Sequence, residues 1–338
     1  MATSTENILE VKGLKKYFEI RKGFLNKIVG YNKSVNDVEF TIKKGETVGL
    51  VGESGSGKTT LGRCIVRLYD STAGSIKFNV NGKMTELTNL STKEMKTIRK
   101  NFQMLFQDVY SSLDTRMKIS KIVTEPLDIH NIGTRKDRID RAKELMLKVG
   151  LSDADLEKYP HQFSGGQRQR IGITRALSIN PEFIICDEPV SALDVSVQAQ
   201  ILNLLVDLKN EFNLSYLFIA HDLSVVKYIS DKIIVMYLGK ILEIASSSDI
   251  YESPQHPYTE ALLAAVSKNE AGSKRDILLK GNIPDPSNPP SGCVLHPRCS
   301  YAKDECMKNT PELIPITGKP NAFSACHFTN DLNLKSFI

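Results

Sequence analysis

The run Gly52-Glu53-Ser54-Gly55-Ser56-Gly57-Lys58-Thr59 constrains this chain more than any other feature of its sequence. It fits the spacing G-x-x-x-x-G-K-[ST], in which glycines let successive backbone amides curl round an anion and the following helix turns its positive end toward it. Before it, Glu46-Thr47-Val48-Gly49-Leu50-Val51 reads as a buried strand, and a helix is expected from about Lys58. Strand, glycine turn and helix in that order make Gly52, Glu53, Ser54, Gly55, Ser56, Gly57 and Thr60 candidate phosphate-binding residues. Lys58 is placed to meet β- and γ-phosphates and Thr59 to set its hydroxyl on Mg²⁺.

A second apolar run, Phe183-Ile184-Ile185-Cys186, ends in Asp187-Glu188, which puts two carboxylates at the C-terminal edge of a sheet, where ligands of such folds bind. Asp187 suits the Mg²⁺ shell, and Glu188 suits orienting or deprotonating the attacking water. The runs 183–186, 216–220 and 232–236 alternate with helical stretches, notably Val197 to Phe212, which is the βαβ rhythm of a parallel sheet. Alternation at 8–11 and 38–42 predicts a small β layer, its strands separated by a basic loop from about Arg21 to Lys33. From about Thr92 to Ile179 the pattern predicts an all-helical insert, clearest where Ile139, Ala142, Leu145, Met146 and Val149 share one face.

Composition closes off several alternatives. With 41% hydrophobic and 25% charged residues over 338, the chain is expected to fold compactly. Lys+Arg 44 minus Asp+Glu 39 leaves +5, too small an excess to make nucleic acid the main partner. The apolar runs 233–238 and 261–266 fall short of the ~18 residues of a membrane-spanning helix. Residues 1–7 lack the basic start and apolar run of a secretory signal, so the chain is expected to stay in the cytosol, with its six cysteines reduced.

Between the glycine turn and the acid pair lies Phe163-Ser164-Gly165-Gly166-Gln167-Arg168-Gln169-Arg170. With the order glycine turn, Ser-Gly-Gly-Gln, Asp-Glu, Asp194, His221, the chain resembles the nucleotide-binding subunits of ATP-binding-cassette (ABC) transporters over essentially its whole length. The resemblance implies ATP with Mg²⁺ as the ligand and an α/β P-loop NTPase fold with a parallel sheet core, an antiparallel β subdomain, a helical subdomain and a small Cys-rich extension. It divides the chain into a nucleotide-binding domain, 1–253, with its helical part at about 92–179, and a C-terminal region, 254–338. It also implies a head-to-tail dimer in which Ser164, Gly165, Gly166 and Gln167 of one subunit cap the γ-phosphate held by the P-loop of the other. A serine hydroxyl, glycine amides and a helix N-terminus are charge-complementary to phosphate. By the same likeness Gln107 senses γ-phosphate and Mg²⁺, Asp194 lies at the dimer seam and His221 contacts the γ-phosphate. An aromatic near the N-terminus is expected to stack on adenine; Phe18 is favoured, with Tyr17 as the alternative.

Ser253-Pro254-Gln255-His256-Pro257-Tyr258-Thr259-Glu260 is similar to the segment opening the C-terminal region of peptide-import ATPases, and 187–200 is similar to the F-type subunit of oligopeptide and dipeptide permeases. That likeness implies a different, homologous ATPase as dimer partner, two transmembrane permease subunits, an extracytoplasmic peptide-binding protein, and a peripheral place on the cytoplasmic face of the membrane. Import of another solute such as nickel, a soluble ABC ATPase and a P-loop kinase are the rival readings. Val109, Asp114-Thr115 and Thr59 depart from the usual residues; the first two flank the loop expected to dock the permease.

The proline-rich linker 283–290 leads to a tail in which Cys293, Cys299, Cys306 and Cys326 follow a C-x5-C-x6-C-x19-C spacing. Related tails bind a [4Fe–4S] cluster through four thiolates; free thiols and zinc are the alternatives the spacing leaves open. His296 and His327 are expected at the surface, and Cys64 and Cys186 in the core.

Overall fold

The computed structural model describes residues 6–267 and 279–337. Residues 1–5, most of the stretch read as lacking a signal sequence, lie outside the described residues. The chain divides into two compact units, one built on Phe78–Ile219 with Lys43–Glu46, the other on Leu9–Ile42, Thr47–Lys77 and the chain from Ala220 onward.

In the first unit the strands Phe102–Leu105, Phe183–Asp187 and Ser215–Ile219 pair side by side and parallel, with Leu105 opposite Cys186 and Asp187 opposite Ile219. Phe183 through Asp187 and Ser215 through Ile219 are buried throughout, which is why both read as apolar runs without alternation. The strand at Phe102–Leu105 corrects the all-helical reading of about 92–179. Phe-Gln-Met-Leu is too short for periodicity to tell strand from helix, and its pairing partner lies some eighty residues on. The rest of that region is largely helical: Thr92–Ile98, Ile119–Ile129, Arg135–Lys148 and Gly165–Leu177. Ala142, Leu145, Met146 and Val149 are all 0% exposed and Ile139 is half-buried, so four of the five residues read as one apolar face are fully packed. Burial of Leu145, Met146 and Val149 stabilises the fold by about 1.5–3 kcal/mol each.

In the second unit Thr47–Val51 pairs parallel with Lys232–Tyr237, which pairs antiparallel with Lys240–Ser246; the short strands Phe323–Ser324 and Ile314–Pro315 extend that edge. The basic loop expected from Arg21 to Lys33 is instead a hairpin. Strands Asn7–Lys22 and Lys27–Lys43 are joined by a turn over residues 23–26 and so run antiparallel. Near the turn the ladder forms without a buried face, as Ile28, Val29 and Tyr31 are all exposed, so no hydrophobic alternation marked that part of the strands. No helix among the described residues is long and apolar enough to cross a membrane.

Candidate functional site

Glycine is compulsory at two points of the phosphate turn. Gly52 and Gly57 hold φ of +152° and +106°, and a Cβ on either would stand 2.0 Å from a backbone oxygen, Met236 O and Ser34 O respectively. Gly57 is the N-cap of helix Lys58–Ile65 and offers no side chain to its first turn, which leaves the helix end shaped for an anion. Lys58 is 5% exposed, and its Nζ donates to Gly52 O at 2.7 Å, Glu53 O at 3.0 Å and Ser56 Oγ at 3.3 Å. The ammonium is thus held against its own loop by two carbonyl oxygens and a hydroxyl. Thr59 and Thr60 follow half-buried in the same helix, while Ser54 and Gly55 are exposed.

Ala220 N–H donates to Leu50 O at 3.1 Å, which ties the residue before His221 to the strand feeding the turn; His221 itself is exposed. Of the two aromatic candidates, Tyr17 is engaged through its hydroxyl with Asn36 Oδ1 at 2.6 Å. Phe18 is half-buried, edge-on to Tyr69 at 5.5 Å between centroids, with Lys16 Nζ 4.8 Å from its ring centre.

In the first unit the parallel register brings together two residues far apart in sequence. Leu105 faces Cys186, and two residues further along each chain Gln107 Nε2 donates to Glu188 Oε2 at 3.0 Å. Glu188 sits at φ +47°, a left-handed conformation that costs a non-glycine residue on the order of 1 kcal/mol, and its N–H is held by Ile219 O at 3.0 Å. Asp187 is 0% exposed.

Ser164 is the N-cap of helix Gly165–Leu177 and closes a capping box with Gln167: Gln167 N–H donates to Ser164 Oγ at 3.3 Å and Ser164 N–H to Gln167 Oε1 at 3.0 Å. The cap uses the hydroxyl as an acceptor and does not need its proton. Ser164, Gly165 and Gln167 are exposed, and a Cβ on Gly166 would stand 2.5 Å from Val197 Cγ1, so the motif packs against the helix that Asp194 caps. Asp194 Oδ1 accepts from Val197 N–H and Ser196 Oγ, which holds its carboxyl below the usual range.

Two contacts of the glycine turn were not legible in the sequence. Glu53, inside the phosphate turn, has its carboxylate gripped by Arg298 at 2.6 and 3.0 Å and donates its N–H to the Tyr258 hydroxyl at 2.9 Å. The His-Pro-Tyr-Thr segment pointed at residue 258 as a motif without giving it a role, and no local pattern marks Arg298.

The four tail cysteines line one small, partly open cavity together with His256, His296 and His327. The two histidines expected at the surface are therefore half-buried around this cavity; folding of the tail, invisible to local spacing, turns them inward. Burial pushes the Cys299 thiol up to about 11 and Cys326 to about 12. Among the described residues no group of three His, Cys, Asp or Glu side chains is drawn closely enough to hold a single metal ion. Cys64 and Cys186 are core residues, both 0% exposed.

Residues 35–191 match the family described as ABC transporter, and residues 242–306 match the oligopeptide/dipeptide transporter C-terminal region. The chain is 51% identical over 330 residues to the oligopeptide transport ATP-binding protein AppF of Bacillus subtilis (strain 168), covering 96% of this chain and 98% of that one. It is likewise 51% identical over 335 residues to the putative oligopeptide transport ATP-binding protein YkfD of the same organism, covering 98% of each. Among solved structures, the dimeric post-hydrolysis state of the ATP-binding cassette MJ0796 bound to ADP and Pi gives a TM-score of 0.61 at 28% identity, covering 71% of this chain and 98% of that one. Cassette CbiO1 from Clostridium perfringens gives the same TM-score at 20% identity. The fold is that of the ABC ATPase cassette.

Proposed function

The chain belongs to the ATP-binding subunits of ABC transporters, and from that membership we propose that it hydrolyses ATP to drive uptake of oligopeptides and dipeptides through a separate permease. The observation that carries this reading is that the likeness to peptide-transport ATPases runs through both the cassette and the C-terminal region, over 96% of the chain. Its place is then peripheral, on the cytoplasmic face of the membrane, against two permease subunits supplied by an extracytoplasmic peptide-binding protein. A second, homologous ATPase completes the dimer.

The roles divide as follows. Amides of 52–57, Lys58, Thr59 and Thr60 hold the phosphates, and Phe18 stacks on adenine. Thr59, Asp187 and Gln107 serve Mg²⁺. Glu188 acts on the attacking water, His221 steadies the γ-phosphate, and Ser164, Gly165, Gly166 and Gln167 present a second cradle to the partner's nucleotide, with Asp194 at the seam. Since a ligand shifts a conformational equilibrium only by its differential affinity, ATP binds the closed dimer better and hydrolysis releases it. On this reading 1–253 is the nucleotide-binding domain, with its helical part at about 92–179, and 254–338 is the transporter-specific region.

The finer reading of the tail is that Cys293, Cys299, Cys306 and Cys326 are ligands of a [4Fe–4S] cluster. Four thiols converging on one cavity support it. Such a cluster supplies a cross-link among four segments of the tail when bound. Anaerobic purification followed by iron and sulfide analysis tests this: equal iron and sulfide support it, and colourless, iron-free protein removes it.

The transport reading is tested by complementation. In cells lacking the gene, the unaltered chain restores uptake of labelled oligopeptides and Lys58→Ala does not. Restored uptake of nickel, with peptides untouched, would overturn the substrate class.

A further inference from the structure

We propose that Arg298 and Tyr258, both in the C-terminal region, are positioning residues for the phosphate turn and set the affinity of the chain for ATP through Glu53. The proposal rests on the ATP-binding reading and deepens it, because nothing in the glycine-lysine motif itself requires a residue more than two hundred positions away.

The chemistry of Glu53 is fully spoken for. Its carboxylate accepts two hydrogen bonds from the Arg298 guanidinium, at 2.6 and 3.0 Å, in the bidentate geometry that is the strongest available to this pair. Its N–H donates to the Tyr258 hydroxyl at 2.9 Å, and its carbonyl accepts from Lys58 Nζ at 3.0 Å. The Tyr258 contact therefore fixes the plane of the Gly52–Glu53 peptide, whose oxygen, Gly52 O, accepts from Lys58 Nζ at 2.7 Å, and the Arg298 grip holds the side chain of the residue that carries the second lysine-binding oxygen. Both outside partners are themselves rigid. Tyr258 is 0% exposed and packs on Tyr237 at 4.8 Å between ring centroids; Arg298 is 6% exposed and also donates to the Tyr237 hydroxyl at 3.3 Å. Burial strengthens a paired charge and makes an unpaired one costly, so loss of either partner releases the turn from its fixed geometry.

Arg298 precedes Cys299, which lines the cysteine cavity, so the tail that carries the thiols also carries the clamp on the turn.

The test uses the full chain and a double-mutant cycle on ATP binding and hydrolysis. Arg298→Gln and, separately, Tyr258→Phe are expected to raise the KM and the dissociation constant for ATP about tenfold, with kcat changed less than twofold. In a Glu53→Gln background Arg298→Gln is expected to add little, because its route to the nucleotide is already cut. A merely structural role predicts additive losses and a kcat that falls with the folded fraction, which circular dichroism and thermal unfolding report. Should Arg298→Gln not fold, Tyr258→Phe keeps the ring packing and carries the test alone. Unchanged ATP affinity in folded variants, or a full Arg298→Gln effect in the Glu53→Gln background, overturns the proposal. Failure of the unaltered chain to bind ATP overturns the functional reading as well.

Discussion

Gln107 and Glu188 meet at 3.0 Å because each stands two residues beyond a register pair, Leu105 with Cys186, of adjacent parallel strands. A glutamine amide donating to a carboxylate lowers that carboxylate's freedom to rotate and keeps one oxygen occupied. Gln107→Leu removes the donor and is expected to reduce ATP hydrolysis several-fold while ATP binding holds. Steady-state kinetics beside nucleotide binding check this; an equal loss of both would place Gln107 in binding alone.

The steric limits of the phosphate turn predict a sharper outcome. Gly57→Ala forces a side chain into 2.0 Å of Ser34 O at φ +106°, so the turn must deform. Overpacking of this kind costs about 1–3 kcal/mol, and the deformation falls on the amides proposed to wrap phosphate. Loss of ATP binding with a modestly lowered melting temperature is expected, whereas Gly55→Ala, with nothing within 4 Å but φ +79°, is expected to be milder. Equal effects at the two sites would contradict the argument from space.

Ser164 offers a separation of cap from cradle. Asp caps a helix about as well as Ser, so Ser164→Asp is expected to keep the helix Gly165–Leu177 intact. Its negative charge would repel phosphate, and ATP-dependent dimerisation should disappear. Ser164→Ala costs the helix about 1 kcal/mol and weakens the dimer less. Size-exclusion chromatography with ATP distinguishes them; ATP-dependent dimers of the Asp variant would show that this residue faces no nucleotide.

The C-terminal region is anchored on Glu243, which is 0% exposed and accepts from the amides of Gln255 at 2.8 Å and His256 at 3.1 Å and from the Thr259 hydroxyl. Burial pushes its carboxyl from 4.5 up to about 7, with those donors and Lys319 pulling the other way. Between those values the folded chain holds a proton that the unfolded chain has released, so this contribution is full below pH 4.5 and is lost as pH rises through 7. Glu243→Gln stays neutral, and its stability relative to the unaltered chain should rise with pH across that window by up to about 3 kcal/mol. A difference in denaturant midpoint that does not vary with pH would contradict the buried, protonated carboxyl.

How much of this was legible in the sequence follows from what is local. The glycine turn, the buried strands ending at Asp187 and Ile219 and the helix face of Ala142 to Val149 all declare themselves within a few residues, because φ, burial and periodicity are short-range constraints. The ends of the hairpin Asn7–Lys43 were read as strands at 8–11 and 38–42, but its tip, read as a loop from about Arg21 to Lys33, hid because it buries nothing, and the Phe102–Leu105 strand hid because four residues carry no period. Glu53 read as one variable position of a motif. Its partners Tyr258 and Arg298 were fixed only by the tertiary fold, as was the convergence of four cysteines and three histidines on one cavity.

On the reading proposed here, the chain turns over ATP with Glu188 acting on the attacking water. ATPase activity of Glu188→Gln in the assembled transporter, measured beside retained nucleotide, tests it most directly. Hydrolysis is expected to fall about a hundredfold or more while ATP stays bound in a closed dimer. Hydrolysis at the rate of the unaltered chain would contradict it.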